Sequence, residues 1–498
     1  MHHFFRSTRA LPALALLLSL TACGGGGAGG IGGPTGNATP AATTQAAADS
    51  GAAAESGTGG QVSIELKAAD RVIADTRYVY DVNASGASTE WRWSWGDGSA
   101  DARARSATKA WHRPGVFTAT VSGFVDGKAV SDQRTVTAIG AAIGVGGSHT
   151  CALTGDGGVA CWGNNANGQL GDGTRTNRLT PVKVTGLSDA VSISVAGGNT
   201  CALRAVGTVV CWGQNDYGQL GDGSQVDQLT PVAATGLDDV VALSANETQR
   251  CLLRKDSRVW CWGAGRVVTV DQFGNVTLVP ASPPAPVPAL EGAVTLADGS
   301  VHACTLKAEG VFCAGSNPQG QLGTLSPSVQ ASAGLLVGGV PDAIAVAAGG
   351  NYSCALSTEG VVRCWGSFSQ TTSSDGSGNI IPTGTPVTAI PGLADAVAVR
   401  IGFDHACAVR ADRTVACWGT NTYGQLGDGT TTDRAVPVTV PGLTDVVALG
   451  LGPYASCALR SDASMACWGR NMSGRLATGD TTDRANAAKV VGDGMFWR

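Results

Sequence analysis

Charged residues are scarce in this chain. They make up 14% of its 498 residues, and the formal net charge at pH 7 is -5. Lysine and arginine form no basic stripe, which argues against a nucleic-acid partner. The sequence also lacks a Walker lysine, a Gly-x-Ser-x-Gly elbow and a His-Glu-x-x-His motif, the marks of phosphate, acyl-transfer and zinc chemistry. These absences predict a protein that is not an enzyme and needs no cofactor or metal.

Glycine and cysteine, by contrast, are frequent. The 72 glycines indicate a turn-rich, all-β chain. All but one of the 15 cysteines fall into seven pairs, and the first cysteines of successive pairs are 50 or 53 residues apart. A period near 50 residues is typical of a circular or stacked repeat array. The pairs are Cys151–Cys161, Cys201–Cys211, Cys251–Cys261, Cys304–Cys313, Cys354–Cys364, Cys407–Cys417 and Cys457–Cys467.

Each pair is predicted to form a disulfide within its own β-hairpin. A turn about Asp156 places Cys151 opposite Cys161, and opposed residues of an antiparallel pair have Cα atoms about 4.5–5.5 Å apart, within disulfide reach. The fourth pair is one residue closer in sequence, which predicts a two-residue loop at Ala308-Glu309. The alternative is that the cysteines are reduced core residues. Bonded pairs would place the chain in an oxidising compartment.

Tryptophan follows the second cysteine in six of the seven units, and strand alternation places it on the opposite face. Each hairpin should therefore have a disulfide side and a tryptophan side, as a sheet packed between two neighbours requires. The fourth unit has Ala314 instead, which predicts looser packing there or a neighbour that fills the space. The tryptophans are Trp162, Trp212, Trp262, Trp365, Trp418 and Trp468.

The remaining cysteine, Cys23, follows an apolar run that is preceded by two arginines. The run is too short to span a membrane, so residues 1–23 have the layout of a secretory signal. The segment Leu20–Cys23 resembles the lipobox of bacterial lipoproteins. This resemblance implies that Cys23 is acylated and anchors the protein in the outer membrane or at the cell surface; an ordinary signal with a chance cysteine is the alternative. Residues 24–60, nearly all small or polar, predict a disordered tether.

Residues 61–138 alternate apolar and polar residues between turn signals, as short half-buried strands do. Trp91 and Trp93 share one strand face, and a Gly-Asp-Gly turn around Asp97 follows. With the later segment Trp111–Phe117, this pattern resembles the PKD domain family, which implies a small immunoglobulin-like β-sandwich. Asp97 is interpreted as a turn former, with calcium binding as the alternative. The tryptophans are interpreted as core, with a sugar platform as the alternative.

A second signature follows the Trp-Gly pairs. Each period also supplies about four short strands, which is one propeller blade. The clearest copies of the signature, with the core Gly-Gln-Leu-Gly-Asp-Gly, are Asn167–Gly173, Tyr217–Gly223 and Tyr423–Gly429, and the weaker copies are Gln319–Gly323 and Ser473–Leu476. With this signature, residues 139–498 resemble the regulator of chromosome condensation (RCC1) repeat family, and the resemblance implies a seven-bladed β-propeller.

The ring is expected to close by sharing strands between its two ends. The last unit, from Trp468, lacks the final strands and hairpin of a full repeat, and residues 138–163 offer an extra strand and the first hairpin. N- and C-terminal strands should then form one common blade, which leaves no long free sheet edge.

No residue set in the repeats predicts catalysis. His149, His302 and His405 recur two positions before the first cysteine and are interpreted as hydrogen-bonding a neighbouring blade, with a metal-binding ring as the alternative. The aspartates of the Gly-Asp-Gly turns are interpreted as shaping those turns. Two irregular segments, 263–303 and 366–386, are the first candidates for a partner site because loops carry binding residues, although tolerated loop drift explains them as well. The candidate binding residues are Phe273, Phe368, Tyr217, Tyr423, Trp91 and Trp93.

The leading hypothesis is a non-enzymatic, monomeric binding scaffold, held to the membrane by lipid alone, whose propeller loops engage a protein or a glycan. The repeat resemblance implies a second possibility, an inhibitor of an extracytoplasmic enzyme, since a bacterial propeller of this family inhibits β-lactamases. PKD domains often accompany polysaccharide enzymes, which implies a third, a carbohydrate-binding surface protein. Fold alone does not decide between them.

Overall fold

The computed structural model describes residues 64–67, 71–99, 101–245, 249–263, 268–270, 276–278, 282–325, 331–368, 373–374, 380–381, 385–492 and 495–496. The predicted signal segment 1–23 with Cys23, the tether 24–60 and Phe273 lie outside these residues. None of the helices in the described part has the length and apolar character needed to cross a bilayer. Residues 61–498 form one compact unit.

The first part of this unit, residues 64–139, contains two small sheets and is called here the two-sheet segment. Its strands are β1 Ile64–Lys67, β2 Arg71–Ile73, β3 Arg77–Ala84, β4 Ser88–Ser94, β5 Ser106–Ala110, β6 Gly115–Val125 and β7 Lys128–Ile139. One sheet has the order β1-β3-β5 and the other β2-β7-β6-β4, with β2 parallel to β7. Alternating burial along β3, β4 and β6 directs one face of each strand inward.

Aromatic side chains form the core of the two-sheet segment. Trp93 stacks on Trp95 with ring centroids 5.2 Å apart, and the Trp111 indole N–H donates to the Tyr80 hydroxyl at 3.0 Å. Trp93 is 0% exposed and Trp91 6%. Both are therefore core residues, and their burial leaves no tryptophan platform for a sugar at these positions.

Asp97 shapes the turn that follows β4. One of its carboxylate oxygens accepts hydrogen bonds from the Ser99 N–H and hydroxyl, and the other pairs with Lys109 Nζ at 2.6 Å. Burial opposes ionisation, but the hydrogen bonds from Lys109 and Ser99 outweigh it and hold the pKa of Asp97 below its ordinary value. The carboxylate thus acts within the turn as the sequence predicts.

Seven four-stranded antiparallel sheets follow, numbered here sheets 1 to 7. Two short ribbons are inserted, β19 Val268–Val270 with β20 Val276–Leu278 after β18, and β29 Ser373–Ser374 with β30 Ile380–Ile381 after β28. Two 3-10 helices span Pro288–Leu290 and Met472–Gly474. The sheets consist of β8 Ile143–Val145, β9 His149–Leu153, β10 Val159–Gly163 and β11 Arg178–Lys183 (sheet 1); β12 Ala190–Ala196, β13 Asn199–Arg204, β14 Val209–Gly213 and β15 Gln228–Ala233 (sheet 2); β16 Val240–Ala245, β17 Gln249–Arg254, β18 Val259–Gly263 and β21 Ser282–Pro286 (sheet 3); β22 Ala297–Asp298, β23 His302–Lys307, β24 Gly310–Gly315 and β25 Ala331–Leu336 (sheet 4); β26 Ala343–Gly349, β27 Tyr352–Ser357, β28 Val362–Gly366 and β31 Thr385–Ala389 (sheet 5); β32 Ala396–Ile401, β33 His405–Arg410, β34 Val415–Gly419 and β35 Arg434–Thr439 (sheet 6); and β36 Val446–Leu451, β37 Ala455–Arg460, β38 Met465–Gly469 and β39 Arg484–Lys489 (sheet 7).

Each of these sheets carries one disulfide between its second and third strands, in the predicted pairing. In sheet 1, Cys151 lies opposite Cys161, with Cα atoms 4.1 Å apart. In sheet 4, Lys307 pairs with Gly310, so the loop has two residues as predicted, and Cys304 still faces Cys313. The other pairs are bonded in the same register.

Neighbouring sheets pack the disulfide side of one against the tryptophan side of the next. The disulfide of sheet 6 shares a buried cluster with Trp468 of sheet 7. The disulfide of sheet 7 in turn shares a cluster with Trp162 of sheet 1. In sheet 4, where Ala314 replaces the tryptophan, Leu290 of the preceding 3-10 helix lies in the same buried cluster. A neighbouring segment therefore fills the space, which was one of the two predicted outcomes.

The expectation that terminal strands share a blade is wrong. All four strands of sheet 1 come from residues 143–183, and all four of sheet 7 from residues 446–489. The first strand of sheet 1 is short but pairs with β9, so it completes its own sheet. Near the C-terminus, Phe496 forms a single bridge with Thr154 and is 1% exposed beside Trp162. The two ends of the array meet through side chains, this bridge and a backbone hydrogen bond from the Gly479 N–H to the Leu179 carbonyl oxygen at 3.3 Å.

Candidate functional site

The sheets have two chemically different ends. At one, here called the turn end, short turns join the second and third strands, as at Thr358 in sheet 5. At the other, the loop end, the third strand finishes at the Trp-Gly pair and a long loop leads to the fourth strand. Because these strands have five or six residues, the two ends lie roughly 17–20 Å apart.

The two-sheet segment covers part of the turn end. Arg77 donates from Nε to the Thr358 carbonyl oxygen at 2.6 Å. Arg400 of sheet 6 donates from Nη2 to the Ala74 carbonyl oxygen at 3.4 Å. Ile73 and Ile139 of the segment belong to the buried cluster of sheet 1. These contacts fix the segment against the array at several points.

A cavity of ≈ 450 Å³ runs along the first strands of the seven sheets. Its wall is mostly backbone and small side chains, and Asp75 and His112 of the two-sheet segment lie at its margin, 2.9 Å from each other. Within the described residues, no group of three or more metal-ligating side chains is present. The charged residues that line the cavity are Asp75, Asp298 and Arg400.

A buried asparagine organises each well-formed loop at the loop end. Asn165 accepts from the Leu170 N–H and donates to the Asp172 carboxylate at 3.0 Å. Burial opposes ionisation of Asp172, but hydrogen bonds from Thr174 and Arg178 among others hold its pKa below the ordinary value. Asn215 and Asn421 repeat the arrangement. The aspartates thus shape the loops, as predicted, whereas the role of the asparagines was missed although Asn165, Asn215 and Asn421 each lie three residues after a tryptophan.

The recurrent histidines bond to the next sheet. His149 lies 2.8 Å from the Thr200 hydroxyl, and His302 and His405 make the same contact with Ser353 and Ser456. This confirms the hydrogen-bonding interpretation. Burial, with the charges of two buried arginines, lowers the pKa of His149 to about 3, so this imidazole is neutral at physiological pH.

The loops also join neighbouring sheets through their backbone. The Gln169 carbonyl oxygen of sheet 1 accepts hydrogen bonds from the Trp212 indole at 2.9 Å and the Thr200 hydroxyl at 3.2 Å, both in sheet 2. The same tryptophan bond recurs at Trp262–Gln219, Trp365–Gln321, Trp468–Gln425 and Trp162–Arg475.

Within the described residues, the junctions of sheet 3 with sheet 4 and of sheet 5 with sheet 6 lack this bond, and both sides of each junction differ from the repeat. The loops that lead to the fourth strands of sheets 3 and 5 have no Gly-Gln-Leu-Gly sequence. The next sheets carry alanine, Ala303 and Ala406, where the other junctions have a hydroxyl or Arg250. Sheet 4 also has Ala314 at the position of the tryptophan. The loops and the side chains that bind them therefore vary together along the array.

The loop end exposes aromatic side chains. Tyr217 is 43% exposed. Tyr423 packs edge-on against Tyr454 with ring centroids 5.5 Å apart, and the Arg470 guanidinium lies 4.6 Å from the Tyr423 ring centroid. Phe368 is partly buried against Tyr352, 4.0 Å between centroids. The structure thus brings three predicted residues to one end, while Trp91 and Trp93 lie elsewhere in a core.

Comparison with known proteins agrees with this geometry. Two sequence profiles of the regulator of chromosome condensation (RCC1) repeat match the chain. One matches residues 156–203, 207–246 and 414–459. The other matches residues 141–169, 190–219, 343–370 and 396–425. The matched stretches lie in sheets 1, 2, 5, 6 and 7 and include the first strand of sheet 3.

Solved structures show the same fold. Prp20p from Saccharomyces cerevisiae, studied for its binding to Gsp1p and histones, is 20% identical, with a TM-score of 0.55 over 66% of this chain and 85% of that chain. Human WBSCR16 is 22% identical, with a TM-score of 0.54 over 67% of this chain and 94% of that chain. The chain therefore contains RCC1 repeats, and its array of four-stranded sheets is similar to the propellers of RCC1-like proteins.

Proposed function

We propose that this chain is a non-enzymatic binding protein that holds a protein partner at the loop end of a seven-bladed propeller. The seven sheets are its blades, and the two-sheet segment is an immunoglobulin-like domain of the PKD type that caps the opposite end. A lipid on Cys23 and the tether 24–60 hold the monomer at the outer membrane or cell surface.

Contacts between the first and last sheets support the closed ring. The indole of Trp162 bonds to the Arg475 carbonyl oxygen at 2.7 Å. A Cβ on Gly452 would lie 2.6 Å from the Val145 carbonyl oxygen, so the innermost strands of sheets 7 and 1 approach as closely as glycine permits. Seven disulfides favour an oxidising, extracytoplasmic compartment.

One observation carries the choice of surface: the two-sheet segment covers part of the turn end, whereas the loop end presents Tyr217, Tyr423, Tyr454 and Arg470 on its surface. Tyrosine and arginine contribute most to binding energy at protein interfaces. Prp20p, whose fold is similar, binds proteins. A glycan partner is less well supported, because its predicted tryptophan platform is buried. Inhibition of an enzyme remains compatible with the same surface.

Site-specific photo-crosslinking in intact cells tests this function. A photoreactive amino acid replaces Tyr217 at the loop end or, as a control in the same sheet, Val206, which lies in the turn between β13 and β14 and is 69% exposed. The protein captured only through position 217 is then purified, and its binding to the full chain and to Tyr217→Ala and Val206→Ala is measured. Weaker binding of Tyr217→Ala alone supports the proposal. Capture through position 206 alone contradicts it.

A further inference from the structure

Sheet 7 departs from the other sheets at two loop-end positions. In sheet 1 the residue after Trp-Gly is Asn164, and the loop glutamine, Gln169, donates from Nε2 to its side-chain oxygen at 2.7 Å. Sheets 2, 4 and 6 keep that glutamine, as Gln219, Gln321 and Gln425. In sheet 7 both positions are arginine, Arg470 and Arg475. A neutral, mutually hydrogen-bonded pair is thus replaced by two cations.

Arg475 is buried without adequate partners. Its side chain is 0% exposed, and Nη1 and Nη2 have no hydrogen-bond partner among the described residues. Only Nε donates, to the Met472 carbonyl oxygen at 3.3 Å. Burial, and then the charge of Arg470, lower the pKa of Arg475 to about 10, so it remains a cation at neutral pH. The two arginines occupy the positions whose side chains touch in sheet 1, where Gln169 Nε2 lies 2.7 Å from the Asn164 side-chain oxygen.

Arg470 lies at the surface between two rings. Its guanidinium carbon is 4.6 Å from the Tyr423 ring centroid and 5.4 Å from that of Tyr454. Within the described part of the chain, no carboxylate comes within ion-pair distance of either arginine. The nearby carboxylate of Asp483, which accepts the Asn471 N–H at 2.7 Å, raises the pKa of Arg475 and so offsets part of its charge. The arginines therefore present positive charge that no ion pair within the described residues neutralises, on an acidic chain.

Apolar surface surrounds this charge. Met472 is 48% exposed and Leu179 of the adjacent sheet 39%. Aromatic residues, methionine and arginine are the residue types enriched at the centres of protein interfaces. A free inorganic anion would interact favourably with the arginines but would make no contact with the apolar rim. An acidic side chain on a protein surface interacts with the arginines while its apolar neighbours contact the rim.

We propose that Arg470, Arg475, Tyr423, Tyr454 and Met472 form a docking site for an aspartate or glutamate side chain of a protein partner. The partner's carboxylate pairs with Arg470 over the tyrosine rings. Arg475, buried behind Arg470, strengthens the positive potential at the site, and the bound carboxylate offsets the repulsion between the two arginines. This inference rests on the proposed function and specifies the chemistry of its partner.

A random peptide library displayed on phage provides the probe. The library is selected on the full-length chain and on Arg470→Gln, with Arg258→Gln as a control, since Arg258 lies at the turn end of sheet 3 with its side chain 57% exposed. Peptides enriched on the wild type should share an aspartate or glutamate. A synthetic copy should bind roughly tenfold more weakly to Arg470→Gln, and equally weakly when its acid is changed to the amide. Combining Arg470→Gln with the amide peptide should weaken binding little more than either change alone.

Arg475→Gln provides a second variant that should keep its fold, because four sheets already hold glutamine there; it should weaken the same peptide several-fold. Enriched peptides without an acidic residue, affinity that is insensitive to Arg470→Gln, or no enrichment over Arg470→Gln would each overturn the docking site. Capture of a partner through position 217 would still stand in those cases, so failure of this site is distinguishable from failure of the proposed function.

Discussion

The indole nitrogen of Trp162 lies 2.7 Å from the carbonyl oxygen of Arg475, 313 residues further along the chain. The same bond links Trp212 to Gln169 across the junction of sheets 1 and 2. The contact between the last and first sheets therefore repeats the contact between consecutive ones. Thr150 also donates to the Arg475 carbonyl, as Thr200 does to that of Gln169.

Replacing Trp162 by phenylalanine should destabilise the protein about as much as the same change at Trp212. Each variant loses one indole hydrogen bond, and the expected loss in free energy of unfolding is about 1 kcal/mol, plus a smaller packing loss. Urea unfolding of both variants provides the measurement. If Trp162→Phe leaves the free energy of unfolding unchanged while Trp212→Phe lowers it, the first and last sheets are not in contact in solution.

Removing the disulfide of sheet 7 by Cys457→Ala with Cys467→Ala should lower the free energy of unfolding by about 3 kcal/mol, since the bond closes a short loop. The effect should be measurable by denaturation under non-reducing conditions. Peptide mapping of the wild type should recover each cysteine bonded within its own hairpin. Links between different sheets, or free thiols, would disprove the pairing.

His149 should make the protein sensitive to mild acid. Its pKa is lowered from 6.5 to about 3 in the folded state, so the unfolded chain takes up the proton first as pH falls. Between pH 7 and pH 4 this residue alone should reduce the free energy of unfolding by about 3 kcal/mol. His149→Asn, the residue at the matching position in sheet 2, should show a smaller drop between these two pH values. An unchanged drop would exclude His149 as its source.

Arg475→Gln should raise the free energy of unfolding by about 2 kcal/mol, because it removes a buried cation whose terminal nitrogens lack partners and restores the residue found in four other sheets. The reverse change in the preceding sheet, Gln425→Arg, should destabilise by a similar amount. Thermal unfolding of both variants checks the pair. A stabilised Gln425→Arg would show that the loop accommodates the charge without cost.

The sequence predicted most of the array because its evidence was local. Cys151 and Cys161 are ten residues apart, and alternation alone places them opposite each other in a hairpin. The two-residue loop of sheet 4 followed from the same reasoning. The closure was predicted incorrectly because a short strand such as Ile143–Val145 carries no signal that says which sheet it joins.

The candidate site was predictable only in part. Tyr217 and Tyr423 follow a repeated motif, so their common position at the loop end could be derived from the period. The capping of the turn end depends on Arg77 and Thr358, 281 residues apart, and no local pattern connects them. The two arginines of sheet 7 are visible in the sequence as departures from the repeat, but the burial of Arg475 is not.

The strands of each four-stranded sheet of the array follow one another along the chain and carry their own covalent cross-link, and five junctions between sheets share the same tryptophan bond. Duplicating or deleting one whole unit in the gene would therefore divide no sheet and leave no cysteine without its disulfide partner. Circular permutation should be tolerated at any junction between units for the same reason, provided that Phe496 still packs against Trp162.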